Sequence, residues 1–439
     1  MIYNKFLENI VLVIGDKIYG TKFINTLKEY RNLNNIPVND LKKIQSLKLK
    51  KLLEYSINNI PFYKKLNIEL TDNPYSDIYK FPIIDKKLLR ENHGEFTNPN
   101  YKKLVTGKSS GSTGTQSVFY RSKKEISIYQ GIQTYLWEWS GYRIGENLIQ
   151  LGITPNRGLI KSIKDFLFKT HYLPAFNINE DFILNFFKNL NKKKVYNFGG
   201  YASGLYLYAD TLKRNNLKDV KIKSVISWGD KVFDLYRKVI SEMFEVKIFD
   251  TYGSSEGFVI SGQCEKGNYH LMIPHIFLEI QDDKSNEVND GEIGKVIVTN
   301  LDAYSMPFIR FDLGDLAIKK NSNEVCECGR NFPMLEKIVG RETDIVVTPS
   351  GKKMIVHSFT GIFEHFDEIS QFRVIQNSSD FIIIEYIKSS KFSLDALKKI
   401  EQKIHHYLQE EFKIEFKEVD NIPPTKSGKP QIIENTFIK

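Results

Sequence analysis

The chain has 439 residues and a formal net charge of +9; it is 41% hydrophobic and 13% aromatic, with three cysteines. That length calls for about two to three domains, and that apolar content excludes a disordered chain. Lysines are spread along the whole sequence with carboxylates among them, which argues against a nucleic-acid partner, and three cysteines do not make a disulfide framework.

Residues 1 to about 100 read mainly as helices. The longest apolar run near the start, Ile10 to Gly15, is too short to span a bilayer and is broken by Asp16 and Lys17. Neither a signal peptide nor an integral membrane anchor is expected, and the protein reads as cytoplasmic. Leu47 to Ile57 has helical spacing, Ile60-Pro61-Phe62-Tyr63 closes that unit, and Phe81 to Ile84 predicts an extended crossing into a helix begun by Asp85.

Next comes Lys108-Ser109-Ser110-Gly111-Ser112-Thr113-Gly114-Thr115-Gln116-Ser117. Glycines let a backbone close around an anion and hydroxyls add donors without bulk, so the stretch suits phosphate. It is not a Walker A loop, because Thr115 stands where that motif needs lysine. Val118 to Tyr120 predicts a short strand and Lys124 to Trp139 an amphipathic helix.

From about 145 to 260, strands at Leu148–Ile153, Lys194–Phe198, Ser224–Trp228 and Val246–Asp250 alternate with helices at Asp181–Leu190, Ala202–Asn215 and Asp234–Phe244. Alternation implies a mainly parallel sheet with helices on its faces, binding ligands at the carboxyl ends of its strands. Asp250-Thr251-Tyr252-Gly253-Ser254-Ser255-Glu256-Gly257 follows the last of these strands. Tyr252 offers a flat face for a base, Gly253 and Ser254 a tight backbone, and Glu256 a carboxylate for a divalent metal. The same stretch fits the G-x-S-x-G elbow of hydrolases with Ser255 as nucleophile, but that motif needs a long helix directly after it, and Phe258 to Ser261 ends at Gly262.

Beyond 270 the pattern turns to strands. Ile276–Ile280 and Lys295–Thr299 predict a hairpin with a long loop ending in Asn289-Asp290-Gly291. In Pro307 to Asp315, Asp315 follows a glycine turn and suits the two hydroxyls of a ribose. Gly340-Arg341-Glu342-Thr343-Asp344 precedes a small α+β tail with strands near Phe372–Gln376 and Phe381–Ile387 and a helix at Leu394–Glu410, closing on Ile422 to Lys429. Cys264 with His270, and Cys326 with Cys328, form two short ligand pairs that suit a closed tetrahedral zinc of structural type.

In this order, the five stretches from the phosphate loop to Lys429 resemble the superfamily of adenylate-forming enzymes, and most closely its phenylacetate-CoA ligase and capsular-polysaccharide (CapK-like) branch. Leu52-Leu53-Glu54-Tyr55, Pro61-Phe62-Tyr63 and Phe81-Pro82-Ile83 extend the match, and the branch is similar at the cysteines too. The resemblance implies a large α/β domain over 1–340, with mainly parallel sheets and a β-rich part, and a small mobile α+β domain over 341–439 hinged at Asp344. It implies that Ser109 to Thr115 hold the ATP phosphates, with Thr113 in contact. Tyr252 would lie against adenine, Glu256 would bind magnesium, Asp315 would hold the ribose and Arg341 would lie beside it and the α-phosphate. Lys429 would bridge the carboxylate and the α-phosphate, and Tyr196, Phe198, Tyr201 and Trp228 would line the acyl pocket. An organic acid is then the substrate, with CoA or an amino or hydroxy sugar as acceptor. Gln116 and Ser117 depart from the usual proline and lysine, and Phe311-Asp312-Leu313 from the usual tyrosine-arginine-threonine. A non-catalytic nucleotide-binding scaffold is the competing class.

Overall fold

A computed structural model of the chain describes residues 2–108, 118–152, 158–175, 179–321, 324–341, 345–350, 353–355, 359, 362–363, 365–408, 412–423 and 431–436. It divides into two units, Met1–Leu313 with Ile318–Lys337, and Gly314–Ala317 with Ile338–Lys439.

The first unit opens on helices. Ile2–Phe6 and Leu12–Tyr19 are joined by a π turn at Leu7–Val11, and Phe23–Leu33 and Val38–Asn59 follow. The buried Asp16 carboxylate accepts from the Phe23 and Ile24 amides at 3.0 and 2.9 Å, filling the donors that open the Phe23 helix. The expected crossing is found: Ile84 N donates to Arg310 O and Asp312 N to Ile84 O, both at 2.9 Å. Asp85 then caps the helix Lys86–Glu91 by accepting from Leu88 N at 2.6 Å.

Strands β1 (Val105–Lys108) and β2 (Val118–Arg121) form an antiparallel pair. Ser122 and Glu125 build a capping box for the helix Lys123–Glu138. Five parallel strands follow: β3 (Leu148–Gly152), β4 (Thr170–Pro174), β5 (Val195–Tyr201), β6 (Lys221–Trp228) and β7 (Ile248–Gly253). The helices Gly158–Leu167, Glu180–Asn189, Ala202–Arg214 and Asp234–Phe244 connect them. Strand β4 and the helix before it were not expected from the sequence: Pro174 closes an edge strand that lacks an apolar run, which hides it.

The direction reverses after β7. Strands β8 (Val259–Gln263), β9 (Tyr269–Leu271), β10 (Ile276–Gln281), β11 (Ile293–Asn300), β12 (Phe311–Lys319) and β13 (Met334–Arg341) complete one eleven-stranded sheet, in the order β10-β11-β12-β13-β9-β8-β7-β6-β5-β3-β4. Tyr201 pairs with Trp228 and Trp228 with Thr251, so β5, β6 and β7 finish side by side. The helices cover this part with a core that includes Phe187, Phe198, Leu205, Tyr208, Val225 and Ile240.

In the second unit β14 (Ile345–Val347) pairs with β15 (Lys353–Ile355). Strands β16 (Ile369–Ser378), β17 (Phe381–Lys388), β18 (Lys413–Glu418) and β19 (Ile433–Asn435) form a sheet in the order β18-β17-β16-β19. The helix Leu394–Leu408 links the parallel strands β17 and β18. The architecture is the expected one, a large α/β unit whose sheet is parallel on one side and antiparallel on the other, with an α+β tail.

Candidate active site and metal centre

The chain turns back on itself within a few residues at the carboxyl end of β7. Ser254 N donates to Phe258 O at 2.9 Å and Gly257 N to Ser254 O at 3.1 Å. A Cβ on Gly253 would lie 2.3 Å from Phe258 O, so only glycine closes this turn, and Gly257 holds φ at +109°. Glu256 is buried here with its Oε2 3.3 Å from Ser255 Oγ, and Ser254 Oγ is buried with no hydrogen-bond partner among the described residues. Buried polar groups of this kind need partners, and a metal-bound anion is one that would supply them. Tyr252 on β7 is half-buried, whereas its neighbours Asp250 and Thr251 turn inward. The Asp250 carboxylate accepts from Tyr269 Oη at 2.7 Å and from Ser227 Oγ; its burial, opposed by these bonds, raises its pKa.

The backbone after Glu256 is anchored from behind. Gly257 O accepts from Asn300 Nδ2 at 2.9 Å and lies 3.3 Å from His275 Nε2. His275 Nδ1 lies 2.8 Å from Asp302 Oδ2, and Lys48 Nζ 2.7 Å from Asp302 Oδ1. Burial works against the Asp302 charge, but the Lys48 ammonium and the His275 hydrogen bond outweigh it and hold its carboxyl down at about 2. Arg121 closes the front: its guanidinium lies 5.1 and 5.9 Å from the Phe119 and Tyr129 ring centroids, and its buried Nε has no hydrogen-bond partner among the described residues. A Cβ on Gly257 would meet Arg121 Cδ and Nη1 at 3.2 Å. Burial lowers the Arg121 pKa from its ordinary value, with the Glu256 charge among the groups opposing that shift.

None of Lys48, Arg121, His275 and Asp302 stood out in the sequence. His275 had one signal, a second histidine five residues after His270, and Asp302 another, its place just beyond the last strand of a hairpin.

Of the residues expected at the site, Tyr252, Gly253, Ser254 and Glu256 share the one turn. Asp315 on β12 and Arg341 at the end of β13 sit on adjacent strands, and both belong to the second unit. Ser109, Ser110, Gly111, Ser112, Thr113, Gly114 and Thr115, together with Asp344 and Lys429, lie outside the described residues.

The aromatic set divides. Tyr196 and Phe198 are core residues, a correction to the expected pocket: Phe198 packs at 6.1, 5.9 and 5.8 Å from Phe187, Tyr208 and Phe244 under the helix layer, and Tyr196 is buried in the same cluster. Tyr201 and Trp228 stay half-buried at the strand ends. Trp228 stacks on Trp137 with centroids 4.9 Å apart, and a Cβ on Gly229 would meet the Tyr201 ring at 2.6 Å. Burial and then the Asp230 charge push the Tyr201 hydroxyl up to about 12.

The cysteines meet as their spacing predicts. The ligand atoms of Cys264, His270, Cys326 and Cys328 all lie within 4.8 Å of one another. Cys264 Sγ and Cys326 Sγ are 3.8 Å apart, and Cys328 Sγ is 3.3 Å from His270 Nε2. Two sulfurs about 2.3 Å from one tetrahedral zinc stand about 3.8 Å apart, so the set fits that ion. His270 Nδ1 is 2.9 Å from Phe332 O, which leaves Nε2 to face the sulfurs. Tight turns present both pairs, with Gly267 N donating to Cys264 O at 2.9 Å and Gly329 N to Cys326 O at 3.2 Å. Burial pushes the Cys264 thiol up to about 12.

Residues 346–436 match the CapK C-terminal domain family. Over 460 aligned residues, 99% of each chain, the sequence is 23% identical to protein CapK of Staphylococcus aureus. It is 24% identical to the phenylacetate-coenzyme A ligase of Thermus thermophilus over 332 residues, 72% of this chain and 73% of the relative. Among solved structures, 2-hydroxyisobutyryl-CoA ligase in the postadenylation state, in complex with R3-HIB-AMP, is similar at a TM-score of 0.73 and 17% identity, covering 92% of this chain and 91% of that one. ATP-bound MatB from Rhodopseudomonas palustris is similar at a TM-score of 0.55 and 14% identity, covering 74% of this chain and 66% of that one. The fold is therefore that of the adenylate-forming ligases.

Proposed function

We propose that this protein is an ATP-dependent ligase that converts an organic acid to its acyl-adenylate and passes the acyl group to an acceptor in the modification of a surface polysaccharide. The observation that carries the reading is the glycine-closed turn with buried Glu256 and the buried Ser254 hydroxyl, which has no hydrogen-bond partner among the described residues, at the edge where β5, β6 and β7 end together. The full-length likeness to CapK favours the polysaccharide setting. The likeness to phenylacetate-coenzyme A ligase supports CoA as the alternative acceptor.

In the first step an oxygen of the acid attacks the α-phosphorus of ATP, the bond to the pyrophosphate oxygen breaks, and an acyl-adenylate forms. Residues 109 to 115 hold the β- and γ-phosphates and Tyr252 lies against the adenine. Asp315 holds the ribose hydroxyls, with Arg341 beside the α-phosphate. Glu256 has the chemistry to hold magnesium, which when bound neutralises charge on the departing phosphates. Lys429 places an ammonium between carboxylate and α-phosphate, where negative charge concentrates. Tyr201 and Trp228 border the acyl group. The domain over 341–439 then turns about Asp344 and admits the acceptor, whose thiol, amine or hydroxyl attacks the acyl carbon and releases AMP. Cys264, His270, Cys326 and Cys328 would hold a zinc of structural type, which would staple their two turns together and take no part in the chemistry.

The test is pyrophosphate release with ATP and magnesium across aromatic, aliphatic, amino and sugar acids, beside Lys429→Ala. Release that needs one acid and collapses in the variant is expected. Stimulation by CoA would select thioester formation, and stimulation by amino sugars the polysaccharide route. No release with any acid would leave a nucleotide-binding scaffold as the better account.

A further inference from the structure

The first helical stretch turns an apolar row to solvent. Ile2, Phe6, Ile10, Ile14 and Ile18 recur every fourth residue and all are exposed, Ile2 at 88% and Ile18 at 70%. Four-residue steps drift by about 40° each around an α-helix, and the wider π turn at Leu7–Val11 takes up part of that drift. The opposite side is the one that packs: Leu7 is buried in the core beneath, with Tyr3, Val11 and Val13 against it.

A second helix extends this surface. Tyr3 Oη donates to Leu167 O at 2.7 Å, and Lys169 Nζ stands 4.2 Å from the Tyr3 ring centroid, which fixes the helix Gly158–Leu167 beside the first. On it Phe166 is 82% and Ile163 61% exposed, and the exposed Lys161 and Lys164 alternate with them. Lys5, Lys17 and Lys169 are exposed on the same two elements or just beyond them. Of the nearby carboxylates, Glu8 is paired with Arg31 at 2.8 Å, Asp16 is buried in its helix cap, and Asp165 is half-buried.

We propose that this two-helix face is a membrane-surface contact, lying flat in the headgroup layer of an anionic bilayer. Isoleucine and phenylalanine side chains enter the acyl boundary, and lysine stems reach back to the phosphates. No helix among the described residues is long and apolar enough to cross a membrane, so the contact is peripheral. Charge selects the occupant. A second copy docked by a two-fold axis would bring together two faces that carry the same excess of lysine, which is repulsive, whereas an anionic lipid surface neutralises it.

The test is co-sedimentation of the full chain with vesicles of phosphatidylcholine alone or with an equal share of phosphatidylglycerol, at low and high salt. The expected result is pelleting with the anionic vesicles, weakened by salt, and little with the neutral ones. Paired Lys161→Gln and Lys164→Gln should lower partitioning roughly thirtyfold, since each lysine near such a surface contributes about 1 kcal/mol. Paired Ile10→Asp and Phe166→Asp should abolish it with an unchanged thermal midpoint, because both side chains are exposed. A chain that stays in the supernatant with anionic vesicles overturns the proposal, as does undiminished pelleting of the aspartate variant. A dimer in light scattering that this variant dissociates also overturns it, in favour of a second copy.

Discussion

The turn at Ser254–Phe258 and the cysteine-histidine cluster hang from opposite ends of one short strand, yet they are built by different means. Strand β8 starts just after Phe258, and Cys264 follows its last residue. The cluster is made by side chains: two short sequence pairs, each presented by a tight turn, meet at one point although Cys264 and Cys326 are 62 residues apart. The turn is made by backbone. Its glycines fit because nothing else does, and its anchors, Asn300, His275, Asp302 and Lys48, come from as far as the N-terminal helices. A site made by side-chain donors around one point is a matter of stability, whereas one made by a backbone turn held in place from behind is a matter of geometry.

That contrast predicts that cluster variants lose stability with the rate of the folded fraction nearly unmoved, whereas variants within the turn lose rate. The largest effect belongs to the cluster: Cys264→Ser, or prolonged chelation, should cost about 4 kcal/mol and lower the thermal midpoint by roughly 10 °C, with zinc lost by elemental analysis. The folded fraction should still release pyrophosphate at a near-normal rate, and a rate loss equal to the stability loss would break the distinction. Glu256→Gln should slow pyrophosphate release roughly a hundredfold or more with the melting curve unmoved. Gly253→Ala sharpens the comparison, because its methyl meets a backbone oxygen that cannot rotate away. It should cost about 2 kcal/mol and impair turnover as well, seen in melting and kinetics on one sample. Asp302→Asn is the mildest, removing roughly 2 kcal/mol near neutral pH. Because the folded carboxyl is depressed to about 2, the stability it contributes is present above the unfolded value near 4 and is lost as pH falls from there towards 2. Wild type and variant melting curves should therefore converge across that window.

The same contrast marks what the sequence disclosed. Helix and strand periods placed the α/β alternation to within a few residues except at β4 and the helix before it, and the hairpin after 270 was visible in its two apolar runs. Cysteine spacing announced the cluster. The pairing of Lys48 with Asp302, residues 254 positions apart in sequence (302 − 48), has no period and no motif, since each is an ordinary charge until the fold joins them. Tyr196 and Phe198 misled for a related reason. Aromatics at a strand end look alike in sequence, and only the helix layer over Phe198 decides that it is core while Tyr201, three residues later, reaches the edge.

The helix Val38–Asn59 has a consequence for anyone who would dissect the protein. Besides Lys48, it sends Gln45 Nε2 to Ile276 O at 2.6 Å, so it grips both flanks of the segment that carries His275. A fragment begun at the phosphate loop would keep all five stretches from that loop to Lys429, yet lose the clamp behind Gly257. Such a fragment would still carry those five motifs and fail at the bench.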